Sequence, residues 1–217
     1  MPDFSCILFD LDGTIVDSAP GITASLAWTF AQLGHPIPTP AELLAYVGPP
    51  ILDSFRDLAG FTPEESQLAL DTYRPHYLKV GVFDAHVYAG VPEVLAGIHA
   101  AGIPLSLATS KPETPATLIL EHYGLLQYFD IITGASDDEK RSAKADVVEE
   151  ALKRLTLFGA DVTRPVLVGD RSHDVHGAAA HDVPTIFVRW GYGAPAEEVG
   201  TIAAVDTPAE LTRLLLG

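Results

Sequence analysis

The chain has 217 residues, with 13 Lys+Arg against 29 Asp+Glu, a formal net charge of −16 at pH 7. Hydrophobic residues make up 47% of it and charged ones 19%, which excludes a disordered chain and gives enough length for one large or two small domains. Such acidity argues against nucleic acid and anionic membrane as partners, because both need a basic face.

The single cysteine, Cys6, excludes an internal disulfide and any cysteine-cluster metal site, and suits a reducing compartment. No basic segment precedes an apolar stretch at the start, and no run of about 18 apolar residues occurs. The expectation is a soluble cytoplasmic protein, monomer or homodimer.

Residues 4–9 form a short apolar run that stops at Asp10 and predict a buried strand. Residues 18–34 predict a helix from Ile22, Leu26, Phe30 and Leu33 at helical spacing, capped by Ser18 with Pro20 in its first turn. A proline-rich linker at 35–40 leads into short helices at 41–47, 50–59 and 62–79. The last opens with Thr62-Pro63-Glu64-Glu65, a capping-box signature. Nothing from Val16 to Val82 reads as a strand. Beyond Phe83 the pattern alternates: helix 91–101, strand 103–108, helix 113–123, strand 129–132, helix 143–156, strand 166–168, helix 174–181, strand 185–188, a weak strand at 202–204 and a helix at 208–216. Such alternation predicts βαβ units and a parallel sheet. The fold class expected is therefore α/β, a Rossmann-like parallel sheet built from 1–15 and 83–217, interrupted by an inserted helical cap at 16–82.

Ligands of open α/β sheets sit at the carboxyl ends of the strands. Asp10-Leu11-Asp12-Gly13-Thr14 follows the first predicted strand, Thr109-Ser110-Lys111-Pro112 the second, and Gly169-Asp170-Arg171-Ser172-His173-Asp174 the strand at 166–168, while Lys144 opens a helix. Asp10, Asp170 and Asp174 on one rim would repel one another without a cation, and hard oxygens without sulfur point to Mg²⁺. A carboxylate can attack phosphorus, a second Asp can protonate the leaving oxygen, and amides and the Thr109 hydroxyl can cradle phosphoryl oxygens.

With their order and spacing, these segments resemble the four motifs of the haloacid dehalogenase superfamily of phosphatases, in its phosphoglycolate phosphatase-like branch, and the helical insertion resembles that family's C1-type cap. The resemblance implies Asp10 as nucleophile and Asp12 as general acid and base. It also implies Mg²⁺ held by Asp10, Asp12 and Asp170 with Asp174 in support, phosphate bound by Thr109, and Lys144 bridging Asp10 and the transferring group. Leu11 and Ser110, through backbone amides, and Arg56 from the cap are the expected substrate contacts, with Gly48-Pro49-Pro50, Arg74, His76 and Lys79 as weaker candidates. The family's common Gly-Lys-Pro is here Ala143-Lys144-Ala145, which makes Lys140 a competitor; Lys144 is preferred because it opens an amphipathic helix fixed against the sheet.

The substrate expected is a small phosphorylated metabolite, phosphoglycolate-like. A phosphomutase, a nucleotidase or pyrophosphatase, and a non-catalytic phosphate-sensing module are the alternatives; Asp12 argues against a dehalogenase. His173 and His176 read as surface or hydrogen-bonded histidines, Lys111 as a loop lysine, Asp17 as a cap or hinge residue and Trp190-Gly191-Tyr192-Gly193 as a turn. No Lys or Arg precedes Arg56, and seven of the 13 lie between Lys140 and Arg171, so the first motif must draw positive charge from metal and from distant Lys144.

Overall fold

A computed structural model describes residues 4–217. Its centre is a six-stranded parallel sheet in the order β5-β4-β1-β6-β7-β8. The strands are β1 (Cys6–Phe9), β4 (Leu105–Pro112), β5 (Ile131–Ala135), β6 (Pro165–Gly169), β7 (Thr185–Val188) and β8 (Ala203–Val205). Every residue of β1 is buried, as expected for a strand covered on both faces. Its side chains alternate between two cores. Ile7 and Phe9 join a core with α5 (Val91–Ala100), α6 (Glu113–His122) and α9 (Pro208–Leu216). Cys6 and Leu8 join a second core with α7 (Lys144–Phe158) and α8 (Ser172–Ala179).

The strand order places the site. β1 pairs with β4 on one side and with β6 on the other. The chain builds β4 and β5 outward in one direction, then crosses back to build β6, β7 and β8 in the other. The reversal opens a crevice at the carboxyl end of β1, where α/β sheets receive ligands.

Between β1 and β4 the chain forms α1 (Ala19–Gln32), α2 (Pro40–Leu44), α3 (Ile51–Asp57) and α4 (Pro63–His76). The predicted capping box at Thr62 and Glu65 is present, and Thr39 with Glu42 forms another. The helices enclose an aromatic centre in which Phe30, Phe55, Phe61 and Tyr73 meet in tilted, stacked and edge-to-face pairs.

Three local expectations are corrected. Val16–Asp17 (β2) does form a strand, a two-residue antiparallel pair with His86–Val87 (β3); two residues are too short to leave a period in the sequence. The last helix of the insertion ends at His76, one residue after Pro75, and continues as a π-helical turn over Tyr77–Gly81, because proline has no N–H to donate. β4 runs on to Pro112, with its register against β5 shifting between Thr109 and Pro112, so the polar stretch expected to be a loop belongs to the sheet.

Candidate active site

The site is built on the turn after β1. Gly13 takes φ +88°, and a side chain there would overlap Asp170 Oδ2 and the Tyr192 ring; only glycine allows both the left-handed backbone and that approach. The Leu11 carbonyl accepts from the N–H groups of Thr14, Ile15 and Val16, which curls the chain and brings Asp10 and Asp12 to one end of the sheet. Both are buried. The Leu11 side chain packs in the core, so any part it takes in binding falls to its backbone amide.

Lys144, the first residue of α7, reaches the same point. Its Nζ lies 2.6 Å from Asp10 Oδ1, 2.8 Å from the Ala108 carbonyl and 2.7 Å from Asp174 Oδ1. An ammonium has three protons, and three acceptors surround this one. Lys140 is exposed and pairs with Asp138 at 2.9 Å, so the lysine beside Asp10 is Lys144.

Asp174 holds two tasks at once. Oδ1 faces Lys144, while Oδ2 accepts from the N–H groups of Asp170 at 3.1 Å and Arg171 at 3.0 Å, capping α8. Asp170 is held by the Tyr192 N–H on Oδ2 at 2.7 Å and by the Thr14 hydroxyl on Oδ1 at 3.3 Å.

Asp10, Asp170 and Asp174 each present a carboxylate oxygen, all within 4.8 Å of one another and all buried. One ammonium faces three carboxylates. Burial, then Asp174 and Asp12, push the Asp10 carboxyl up to about 7 against the pull of Lys144. Burial together with Asp174 and Asp10 holds Asp170 well above the usual carboxylate range. Burial lowers the Lys144 ammonium, but Asp10 and Asp174 outweigh it and leave its pKa raised. The cluster is short of positive charge, and its donors are hard oxygens alone. Those residues fit Mg²⁺, which prefers such oxygens.

Asp12 belongs to a second network. Its Oδ2 lies 3.0 Å from Lys111 Nζ and its Oδ1 accepts from the Ser18 hydroxyl at 2.5 Å. Lys111 Nζ also donates to the Tyr77 hydroxyl at 3.0 Å. Burial lowers the Lys111 ammonium, but Asp12 and Tyr77 more than compensate, and its pKa is raised. Lys111 is therefore no loop lysine. Ser18 stands at the start of α1 but makes no side-chain cap; its hydroxyl serves Asp12, and Asp17 accepts the Ala19 N–H at 3.2 Å in its place. Thr109 is buried beside this network and accepts the Lys111 N–H at 3.2 Å. The Ser110 hydroxyl is buried without a hydrogen-bond partner among the described residues.

A cavity of about 360 Å³ opens from Asp12, Ser110 and Lys111 into the helical insertion. Arg74 lines it; its guanidinium donates to the Asp137 carbonyl at 2.9 Å and pairs with Glu139, joining α4 to the loop ahead of α7. Arg171 donates to the Val47 carbonyl at 2.9 Å. The Tyr192 hydroxyl accepts from the N–H groups of Ser18 and Ala19 and donates to Asp17, so the segment expected to be a plain turn ties α1 to the Asp170 loop. Arg56 does not join the cavity. It is exposed and pairs with Asp53 at 3.1 Å and Asp57 at 2.8 Å on its own helix. His173 is partly buried, and burial holds its imidazole below the usual value.

Lys111, Tyr77 and Tyr192 were not evident as site residues in the sequence. For Lys111 a signal exists: it follows two hydroxyl residues at the end of a buried strand. For the tyrosines there is none, since their partners lie 34 to 175 positions away.

The sequence profile of the family described as haloacid dehalogenase-like hydrolase matches residues 7–188. The tyrosine-protein kinase PtkA of Mycobacterium tuberculosis is 41% identical over 86% of this chain, which spans 62% of that relative's length. A 5'-nucleotidase of Pseudomonas aeruginosa is 35% identical over 88% of this chain and 85% of its own. Among solved structures, a predicted phosphatase from Clostridium acetobutylicum superposes with a TM-score of 0.91 at 35% identity, covering 98% of both chains. No helix among the described residues is long and apolar enough to cross a membrane.

Proposed function

The chain belongs to the haloacid dehalogenase-like hydrolase family, and from that premise we propose that it is a Mg²⁺-dependent phosphatase acting on a small phosphomonoester through an aspartyl-phosphate on Asp10. The observation that carries this reading is the buried cluster of Asp10, Asp170 and Asp174 with a single ammonium, Lys144, bound to Asp10 Oδ1 at 2.6 Å.

Asp10, Asp170, Asp174 and the Asp12 carbonyl would hold the ion. When bound, Mg²⁺ supplies the positive charge that lets Asp10 stay ionised beside two other carboxylates and an incoming phosphoryl group. Lys144 holds the Asp10 carboxylate through Oδ1 while one Asp10 oxygen attacks phosphorus. As that P–O bond forms, the bond to the leaving oxygen breaks, and Asp12 delivers its proton to that oxygen. In the second step water attacks phosphorus, Asp12 takes the water proton, and the Asp10–phosphorus bond breaks to release inorganic phosphate. Thr109 and the amides after Asp10 and Thr109 cradle the phosphoryl oxygens. Lys111 stands 3.0 Å from Asp12 and orients it.

The helical segment 16–82 acts as a cap over the core of 1–15 and 83–217 and excludes bulk water while the acyl phosphate exists. Arg74 and Arg171 join cap to core, and the β2–β3 pair with Tyr192 marks the hinge.

Asp10→Asn tests the reading. It should lower turnover of a generic aryl phosphate on the order of 10⁴-fold or more, and near-normal turnover would remove the nucleophile. Transfer of phosphoryl to an acceptor other than water, as in a mutase or a kinase, shares the first step. Asp10-dependent release of inorganic phosphate without an added acceptor distinguishes hydrolysis from both.

A further inference from the structure

The cavity beyond Asp12 bears on what leaves when phosphorus is attacked. Its wall is apolar and aromatic: Ile22, Tyr46, Ile51, Tyr73, Tyr77 and Leu78 all face it. The Tyr73 and Tyr77 rings stack at 5.4 Å between centroids with 9° between planes. At about 360 Å³ the space is many times what one water needs, so a two-carbon leaving group would leave most of it wet.

The charges of the wall count against a second anion. Two cations line it, Lys111 and Arg74, and both are engaged. Lys111 serves Asp12 and Tyr77; Arg74 serves Glu139 and the Asp137 carbonyl. Three carboxylates, Asp12, Asp137 and Glu139, line the same space. A carboxylate or second phosphate entering here would displace an existing ion pair or stand unpaired beside acidic groups, and an unpaired charge in a partly buried site is costly. A flat neutral ring meets stacked tyrosines and aliphatic side chains instead. The orphaned Ser110 hydroxyl, 6% exposed, also lines this cavity and offers one hydrogen bond to a polar atom of the ligand.

We propose that the cavity selects a phosphomonoester whose leaving group carries an uncharged planar ring, over esters whose leaving group bears a second anion. The proposal rests on the hydrolase reading and narrows its substrate. The ring can belong to a phenol or to a nucleoside, which share this chemistry.

Binding separates the proposal from the reading beneath it. Phenyl phosphate, adenosine monophosphate, phosphoglycolate and pyrophosphate are titrated with Mg²⁺ into the Asp10→Asn chain by calorimetry, and phosphate release from each is followed with the unaltered chain. At least one ring ester should bind tenfold or more tighter than phosphoglycolate and pyrophosphate and be turned over with at least tenfold higher kcat/KM. Which of the two ring esters leads separates the phenol from the nucleoside. Equal or tighter binding of either phosphoglycolate or pyrophosphate overturns the proposal. Absence of turnover for all four sinks the hydrolase reading, while the binding order still decides the ring preference. Ile51→Arg places a cation in the wall and should shift the preference toward phosphoglycolate by tenfold or more; Leu78→Lys, at a more exposed position, gives the same test if the first variant fails to fold. An unchanged preference in a folded variant counts against the wall as the selector.

Discussion

The rim of the sheet and the helical insertion solve opposite problems. At the rim, three carboxylates and one ammonium are forced together by strand ends that have little freedom to relax. Its polar groups are strained electrostatically, and Asp10 pushed up to about 7 is the mark of it. The insertion is held by ordinary means: capping boxes, an aromatic centre and surface ion pairs such as Arg56 with Asp53 and Asp57. Binding sites commonly trade stability for function in this way. Polar links between the two regions include Lys111 with Tyr77, Arg74 with Glu139, Arg171 with Val47, and Tyr192 with Asp17.

Substitutions can break that contrast. Lys144→Met removes the one ammonium from a buried carboxylate cluster, and the chain should lose about 3–5 kcal/mol of stability, measured by urea unfolding in chelator. Added Mg²⁺ should recover part of the loss. A loss no larger than that of a surface variant would mean that the rim is not short of charge.

The pH dependence tests the same strain. A carboxyl whose native pKa lies near 7, against about 3.9 when unfolded, holds a proton in the folded chain that the unfolded chain has shed. Its stabilising share is complete below about pH 4 and is lost as pH rises through about 7. Without metal, the unaltered chain should therefore lose stability over that interval relative to Asp10→Asn. Parallel stability curves for the two chains would contradict it.

Lys111→Met probes the junction. It leaves Asp12 without its cation, and kcat should fall by about 10²-fold with its pH profile displaced, while KM for phosphate esters changes little. The smallest effect belongs to the insertion surface: Arg56→Ala should leave the urea midpoint where it is in the unaltered chain and leave kcat/KM unchanged.

What the sequence reveals follows the same division. The sheet and the Asp10, Asp12, Thr109, Lys144, Asp170 and Asp174 positions are legible because each polar group ends an apolar run or opens an amphipathic helix, and a parallel sheet gathers such ends on one rim. The junction is not legible. Lys111 looks like a surface lysine because lysine is seldom buried without a partner, and its partners come from the turn after β1 and from a π-helical turn. Arg56 attracts attention as the first cation of the chain, yet Asp53 and Asp57, three residues before it and one after, are nearer partners than any ligand. Tyr192 binds backbone N–H groups more than 170 positions away, and no local pattern encodes that.

Asp10 carries the phosphoryl group in the proposed reaction. The direct measurement is to acid-quench the chain during turnover of an aryl phosphate with Mg²⁺, reduce with borohydride and map the peptides by mass. An acyl phosphate on Asp10 predicts substrate-dependent conversion of Asp10 to homoserine, absent when substrate is omitted. Conversion at Asp12, or none at all in a chain that is releasing phosphate, would rule out Asp10 as the nucleophile.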